Sequence, residues 1–95
     1  MTIRATFKGT VIAESDDTVV IEGNHYFAPG AVNDAYIEPS DEHTTCGWKG
    51  VASYFDVVVD GERAAAAAWY YPDPKEAAME IKDRIAFWRG VEVGR

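Results

Sequence analysis

Apolar and β-branched residues fall in short, strand-length runs along most of this chain, the first of them alternating with polar residues at a period of two, and polar or glycine-containing breaks divide the runs. Ile3 to Phe7 forms the first piece and Lys8-Gly9 reads as a turn. Thr10-Val11-Ile12-Ala13 follows, Ser15-Asp16-Asp17 punctuates it, and the β-branched run Thr18-Val19-Val20-Ile21 restarts extended structure. Gly23-Asn24 reads as a turn before His25-Tyr26-Phe27, and Ala28-Pro29-Gly30 ends that piece because proline has no N–H for a ladder. Ala31 to Ile37 is ambiguous, with a short strand around Ala35 to Ile37, and Glu38 to Glu42 reads as a polar loop. Val51 to Val59 is the longest strand candidate. Asp60-Gly61 after it is a hairpin signal, since a type I′ turn needs positive φ at both central positions. The return strand runs from Glu62 to Tyr71. Ala64 to Ala68 favours helix by local propensity, but five residues between a hairpin turn and Trp69-Tyr70-Tyr71 are too few to hold one. The run therefore reads as a strand whose small side chains permit close approach of a neighbour.

The pattern changes period near the end. Asp73 fits an N-cap, Pro74 the first helical position and Glu76 the capping-box partner. Ala77, Ala78, Ile81, Ile85 and Trp88 then share one face at 3–4 spacing, Lys82, Arg84 and Arg89 suit the negative helix end, and Gly90 suits its C-cap. The spacing predicts one helix near 74–89, followed by a short strand at Val91-Glu92-Val93. Many strands and one late helix make a mainly β, mostly antiparallel fold with the helix covering an edge or face.

Ninety-five residues form one domain, 1–95, and support one core without staples. No apolar run is long enough for a bilayer, and Met1-Thr2-Ile3-Arg4 lacks the apolar stretch of a secretion signal. A lone cysteine makes no internal disulfide, which suits a reducing cytoplasm. The net charge of −7 leaves no basic face for a phosphate backbone and disfavours anionic membranes, so neither nucleic acid nor membrane is an expected partner. A monomer or weak homodimer is expected.

Chemistry concentrates in Thr44-Thr45-Cys46-Gly47-Trp48-Lys49-Gly50, which sets the only cysteine, a tryptophan and a lysine among two glycines. A thiol, an aromatic face and a cation at this spacing suit a pocket wall, and equally a tight turn with a tryptophan lid over the core. One Cys and two His fall short of a zinc set, so no metal or cofactor is expected. As a nucleophile, Cys46 lies three residues from both His43 and Lys49, and an odd offset on a strand puts side chains on opposite faces unless Gly47 turns the chain. No phosphate-binding glycine loop precedes a helix. Three Trp, five Tyr and four Phe are a heavy aromatic load for this length. Tyr54 with Phe55, and Tyr70 with Tyr71, must face opposite ways on a strand. Rings not in the core are expected to line a cleft. Glu14, if beside Lys49, would pair with its ammonium.

The order Glu14-Ser15, His25-Tyr26-Phe27, His43-Thr44-Thr45-Cys46-Gly47-Trp48-Lys49-Gly50, Tyr54, Ala68-Trp69-Tyr70-Tyr71-Pro72 and the late helix resembles the DUF427 family of small bacterial and fungal proteins of unknown function. Gly47 stands where the family pattern has proline between Cys and Trp, which bears on the rigidity of that turn. The family also carries a nucleotidyltransferase-like label, but no Gly-Ser followed by an Asp-x-Asp pair for magnesium is present. The resemblance implies a β-tent-like arrangement of two antiparallel sheets, zinc-free because the paired cysteines of related proteins are missing. Fold alone transfers no activity. The resulting expectation is a small-metabolite binding module with a cleft lined by Trp48, Lys49, Tyr54, Trp69 and Tyr71. The competing readings are a small enzyme using Cys46 or Lys49 with His43 or Glu14, and a protein-interaction module docking a peptide on a strand edge.

Overall fold

Three dipeptides, Lys8-Gly9, Glu22-Gly23 and Asp60-Gly61, hold both residues at positive φ (50 and 81°, 55 and 80°, 49 and 81°), the geometry of type I′ turns. Each closes a two-residue hairpin in the computed structural model, which describes residues 1–95. The first joins β1 (Ile3–Phe7) to β2 (Thr10–Ser15), the second β3 (Val19–Ile21) to β4 (Asn24–Tyr26), and the third β6 (Gly50–Val59) to β7 (Glu62–Tyr70). The second turn sits one residue earlier than the Gly23-Asn24 expectation and lifts Glu22 onto the hairpin tip. The remaining strands are β5 (Ile37–Cys46), β8 (Ala86–Phe87) and β9 (Glu92–Gly94), with short 3-10 turns at Pro29–Ala31, Asp34–Tyr36 and Glu76–Ile81. The fold is mostly β, and every named strand pairing is antiparallel. The strands form three sheets ordered β2-β1-β9, β3-β4 and β5-β6-β7-β8. No helix is long and apolar enough to cross a membrane.

The four-stranded sheet buries side chains on both faces. Phe55, Val57 and Val59 of β6 join one cluster with Ala5, Phe7, Ile12, Phe27, Phe87 and Val91, under the β2-β1-β9 sheet. Ala52 and Tyr54 join a second with Tyr26, Trp69, Tyr71, Ala78 and Ile81, which β3, β4 and the Glu76–Ile81 turn supply in part. Alternation on β6 and at the end of β7 thus feeds two cores. Adjacent pairs split between them: Phe55 and Tyr70 stack at 4.7 Å on the first side, while Tyr54 and Tyr71 lie in the second. Burial of a large apolar ring such as Phe27, which has no exposed surface, contributes about 1.5–3 kcal/mol.

The polar stretch Glu38 to Glu42, expected as a loop, belongs to β5. This strand lies at the sheet edge, where exposed polar residues and Pro39 are tolerated because one side of the ladder is free. The alanine run is a strand, and it carries a bulge in which Ala65 to Ala67 oppose Asp56. Ala66 takes a φ of 50°, and its N–H donates to the Asp56 carboxylate at 2.8 Å. Trp88 completes the bulge: its indole N–H donates to the Ala66 carbonyl at 2.8 Å and its backbone N–H to that of Ala67 at 2.9 Å. Ala66, Ala67 and Ala68 are all buried, and their small side chains permit this close approach.

The helix expected over 74–89 does not form. Lys75, not Asp73, precedes the 3-10 turn and gives no side-chain cap. Ala78 breaks the turn at φ −121° and ψ 19°, Asp83 adopts a φ of 60°, and Ala86-Phe87 is a strand. The cause is tertiary. A helix would gather Ala78, Ile81, Ile85 and Trp88 on one stripe, whereas here Ile85 and Phe87 fill the first core and Ala86 the second. That is a period of two, set by the edge of β7, whose open ladder takes up Ala86 and Phe87 against Trp69 and Ala68. The apolar spacing fits both periods until the sheet edge is present to choose.

Candidate functional site

Gly47, Trp48 and Lys49 form the turn between β5 and β6, and Cys46 pairs with Gly50 at its base. Gly50 has a φ of +114°, and a Cβ there would stand 3.4 Å from the Asp73 carbonyl oxygen and 3.5 Å from the Pro74 Cα and the Lys75 nitrogen. The left-handed backbone asks for glycine here, whereas the 73–75 segment would meet a Cβ only in ordinary van der Waals contact. Gly47 has no such constraint. The same segment anchors the turn: the Lys75 N–H donates to the Lys49 carbonyl at 2.8 Å, and the Lys75 ammonium to the Gly47 carbonyl at 2.6 Å.

This anchoring drives Lys49 inward. It is the buried charged residue of the chain, 6% exposed. Its Nζ lies 5.1 Å from the Trp48 ring centre and 5.8 Å from that of Tyr71, both within cation–π range. It donates a hydrogen bond to the Glu22 carboxylate. Burying an ammonium carries a large desolvation cost unless it is paired, and here one carboxylate from another hairpin supplies the pairing. Burial pulls the Lys49 pKa down, but the Glu22 hydrogen bond, with smaller help from Tyr26, Tyr71 and Cys46, leaves it above the ordinary 10.5. The same hydrogen bond holds the Glu22 carboxyl below its ordinary 4.5, against partial desolvation. The pair is therefore charged across the neutral range.

Aromatic groups close the inner side. Tyr26 is fully buried and meets Trp69 edge-on at 6.1 Å, with its hydroxyl accepting from the Trp69 indole N–H at 3.1 Å. Tyr71 is 4% exposed, and burial raises its hydroxyl to about 12, against the pull of Lys49. Burial raises Tyr26 as well, and the Trp69 hydrogen bond offsets part of it. Tyr54 and Thr44 share a hydroxyl–hydroxyl bond of 2.8 Å, and the Tyr54 ring stacks on Trp88 at 6.4 Å.

The structure thus brings Trp48, Lys49 and Tyr71 into contact, with Tyr54, Trp69 and half-buried Cys46 in or against the same cluster. The indoles differ: Trp48 is 40% exposed, whereas Trp69 is sealed in the second core. The three surface hollows of the molecule lie elsewhere, so these side chains form a packed corner with one open indole. Glu14 is not at this corner, because it pairs with Arg4 across β1 and β2 at 2.8 Å. His43 bonds to Ser53 at 3.3 Å, on the face of β5 opposite Cys46, as the odd offset implied. His25 bonds to Thr18 at 2.7 Å. The carboxylate that the sequence reading missed is Glu22; reading Glu22-Gly23 as a type I′ turn would have put it on a hairpin tip, though not over Lys49.

An antiparallel β fold with an aromatic second core and a lysine turned into it is the class of protein the geometry defines. The chain belongs to the DUF427 family, a domain of unknown function, whose family model matches residues 1–94. No curated protein matches it significantly.

Proposed function

We propose that this DUF427 domain is a binding module for a small, partly apolar metabolite with an anionic group, taken up at the corner of Trp48, Lys49 and Glu22. The observation that carries the reading is the unequal ion pair. Lys49 is enclosed, with 8% of its side chain exposed, while its single counter-charge, Glu22, is 54% exposed on a two-residue hairpin tip. A ligand carboxylate or phosphate replaces Glu22 on the ammonium, and the freed Glu22 regains water at little cost. The open face of Trp48 receives the apolar body of the ligand. The rings behind Lys49 keep water from the exchanged pair, which strengthens the interaction over that of a surface ion pair.

Tryptophan emission and thermal shift, recorded against a panel of aromatic and aliphatic carboxylates and phosphates, test this. Ligands that quench Trp48 in the native protein are expected to lose their effect in Lys49→Met. The reading fails if no anion at about 10 mM, a very weak Kd, changes emission or Tm, or if Lys49→Met binds the same ligands equally well. Peptide docking by strand addition is the second reading, favoured by the free edge of β5. The irregular pairing between Pro39 and His43 shortens the regular ladder available to a partner.

A further inference from the structure

On the other face of the four-stranded sheet, the β2-β1-β9 layer does not cover everything. Beyond its margin a hollow of about 340 Å3 opens, at the small end of the roughly 300–1,000 Å3 typical of small-molecule sites. Its apolar lining comes from Ile37 of β5, Phe55 of β6, Tyr70 of β7 and Ile85 just before β8. Phe55 and Tyr70 are stacked on each other with an interplanar angle of 20°, so together they present one continuous aromatic step. Two acidic residues also line it: Asp34 from the 3-10 turn Asp34–Tyr36 and Asp83 from the turn ahead of β8. The five ion pairs of the protein involve neither, and no arginine or lysine lines the hollow.

We infer that this hollow is a binding site for a free organic cation: a primary amine or amidine carrying an aromatic or branched apolar body. The body lies against Ile37, Phe55, Tyr70 and Ile85, and the cationic head is drawn by the charges of Asp34 and Asp83. Charge complementarity selects this occupant. An anionic ligand would meet two carboxylates without basic partners and the field of a chain with net charge −7, whereas a neutral one would gain no attraction from them. Both aspartates are exposed, so the carboxylates set selectivity and the apolar lining supplies most of the affinity. The site is independent of the Lys49 corner, which lies on the opposite face of the sheet and takes the opposite charge.

The test titrates the full chain with phenethylamine, 2-phenylethanol and phenylacetate, matched probes that are cationic, neutral and anionic, and follows backbone amide resonances. Saturable shifts at Ile37, Phe55, Tyr70 and Ile85 are expected with phenethylamine. The neutral probe should bind about fivefold more weakly, the upper end of what an exposed ion pair supplies, and the anionic probe more weakly still. The Asp34→Asn/Asp83→Asn double variant should bring the amine down to the affinity of the alcohol. Asp83→Gly provides a second variant, because glycine adopts the φ of 60° at this position without strain, and it should weaken the amine alone. Equal binding of the amine and the alcohol, an unchanged amine affinity in the carboxylate variants, or no saturable shift by about 10 mM would each overturn the assignment.

Discussion

Replacing Tyr26 with phenylalanine removes one oxygen atom from the second core and leaves its ring in place. That oxygen is the acceptor for the Trp69 indole N–H, at 3.1 Å, between a residue with no exposed surface and one that is 9% exposed. In Tyr26→Phe the edge-on contact of the two rings, 6.1 Å between centres, is kept, so packing changes little. The indole N–H loses its partner where water does not reach, and stranding a buried donor costs about 1–3 kcal/mol. Taking about 1.5 kcal/mol, and the 4–8 °C per kcal/mol usual for a chain of this size, Tm should fall by about 6–12 °C. Denaturant unfolding monitored by circular dichroism measures the free energy directly. The decisive comparison is a double-mutant cycle with Trp69→Phe, which removes the donor. In that background the Tyr26 hydroxyl has nothing to accept from, so the second substitution should cost about 1 kcal/mol less. A Tyr26→Phe penalty that is the same in both backgrounds, or absent in the native one, would refute the claim that this hydrogen bond ties β4 to β7.

Gly50→Ala places a Cβ at φ +114°, a backbone conformation strained for any side chain. It should destabilise the fold by about 1–3 kcal/mol and raise Cys46 accessibility in a thiol-labelling assay, because the turn that seats Lys49 loosens. Alkaline pH gives a further test. Burial raises the Tyr71 hydroxyl from 10.0 to about 12, and that of Tyr26 in the same direction. The unfolded chain thus releases these protons first, so stability is full below about pH 10 and declines as pH rises from there through about 12. Tyr71→Phe should flatten that decline in urea midpoints measured across the range; an unchanged slope would contradict the burial of this hydroxyl.

Much of the strand order was legible because alternation is a local signal. β6 and β7 with their Asp60-Gly61 turn follow from residues within a few positions of one another. The late segment misled for a definite reason. Apolar residues at 77, 78, 81, 85 and 88 satisfy a helical period, but Ile85, Ala86 and Phe87 satisfy a strand period as well. The free edge of β7 decided between them, and that edge exists only after the sheet has formed. The aromatic surplus misled similarly. Adjacent rings on one strand suggest a cleft if only one face has a core, whereas the sheet has a core on each face and seals Tyr54, Trp69 and Tyr71 in the second.

The candidate site divides in the same way. Composition and local spacing placed the Cys46 to Gly50 turn and singled out Lys49 and Trp48, since glycine requirements and turn chemistry act over a few bonds. Which carboxylate answers Lys49 was beyond that reach. Glu14 and Glu22 are both acids near strand ends, and nothing local distinguishes them. The packing of the β3-β4 hairpin on the second core carries Glu22 across 27 residues to the ammonium and leaves Glu14 with Arg4. Backbone preferences are written residue by residue and can be read from the chain. Charge pairing depends on where whole elements come to rest, and that is set by the sum of all their buried contacts together.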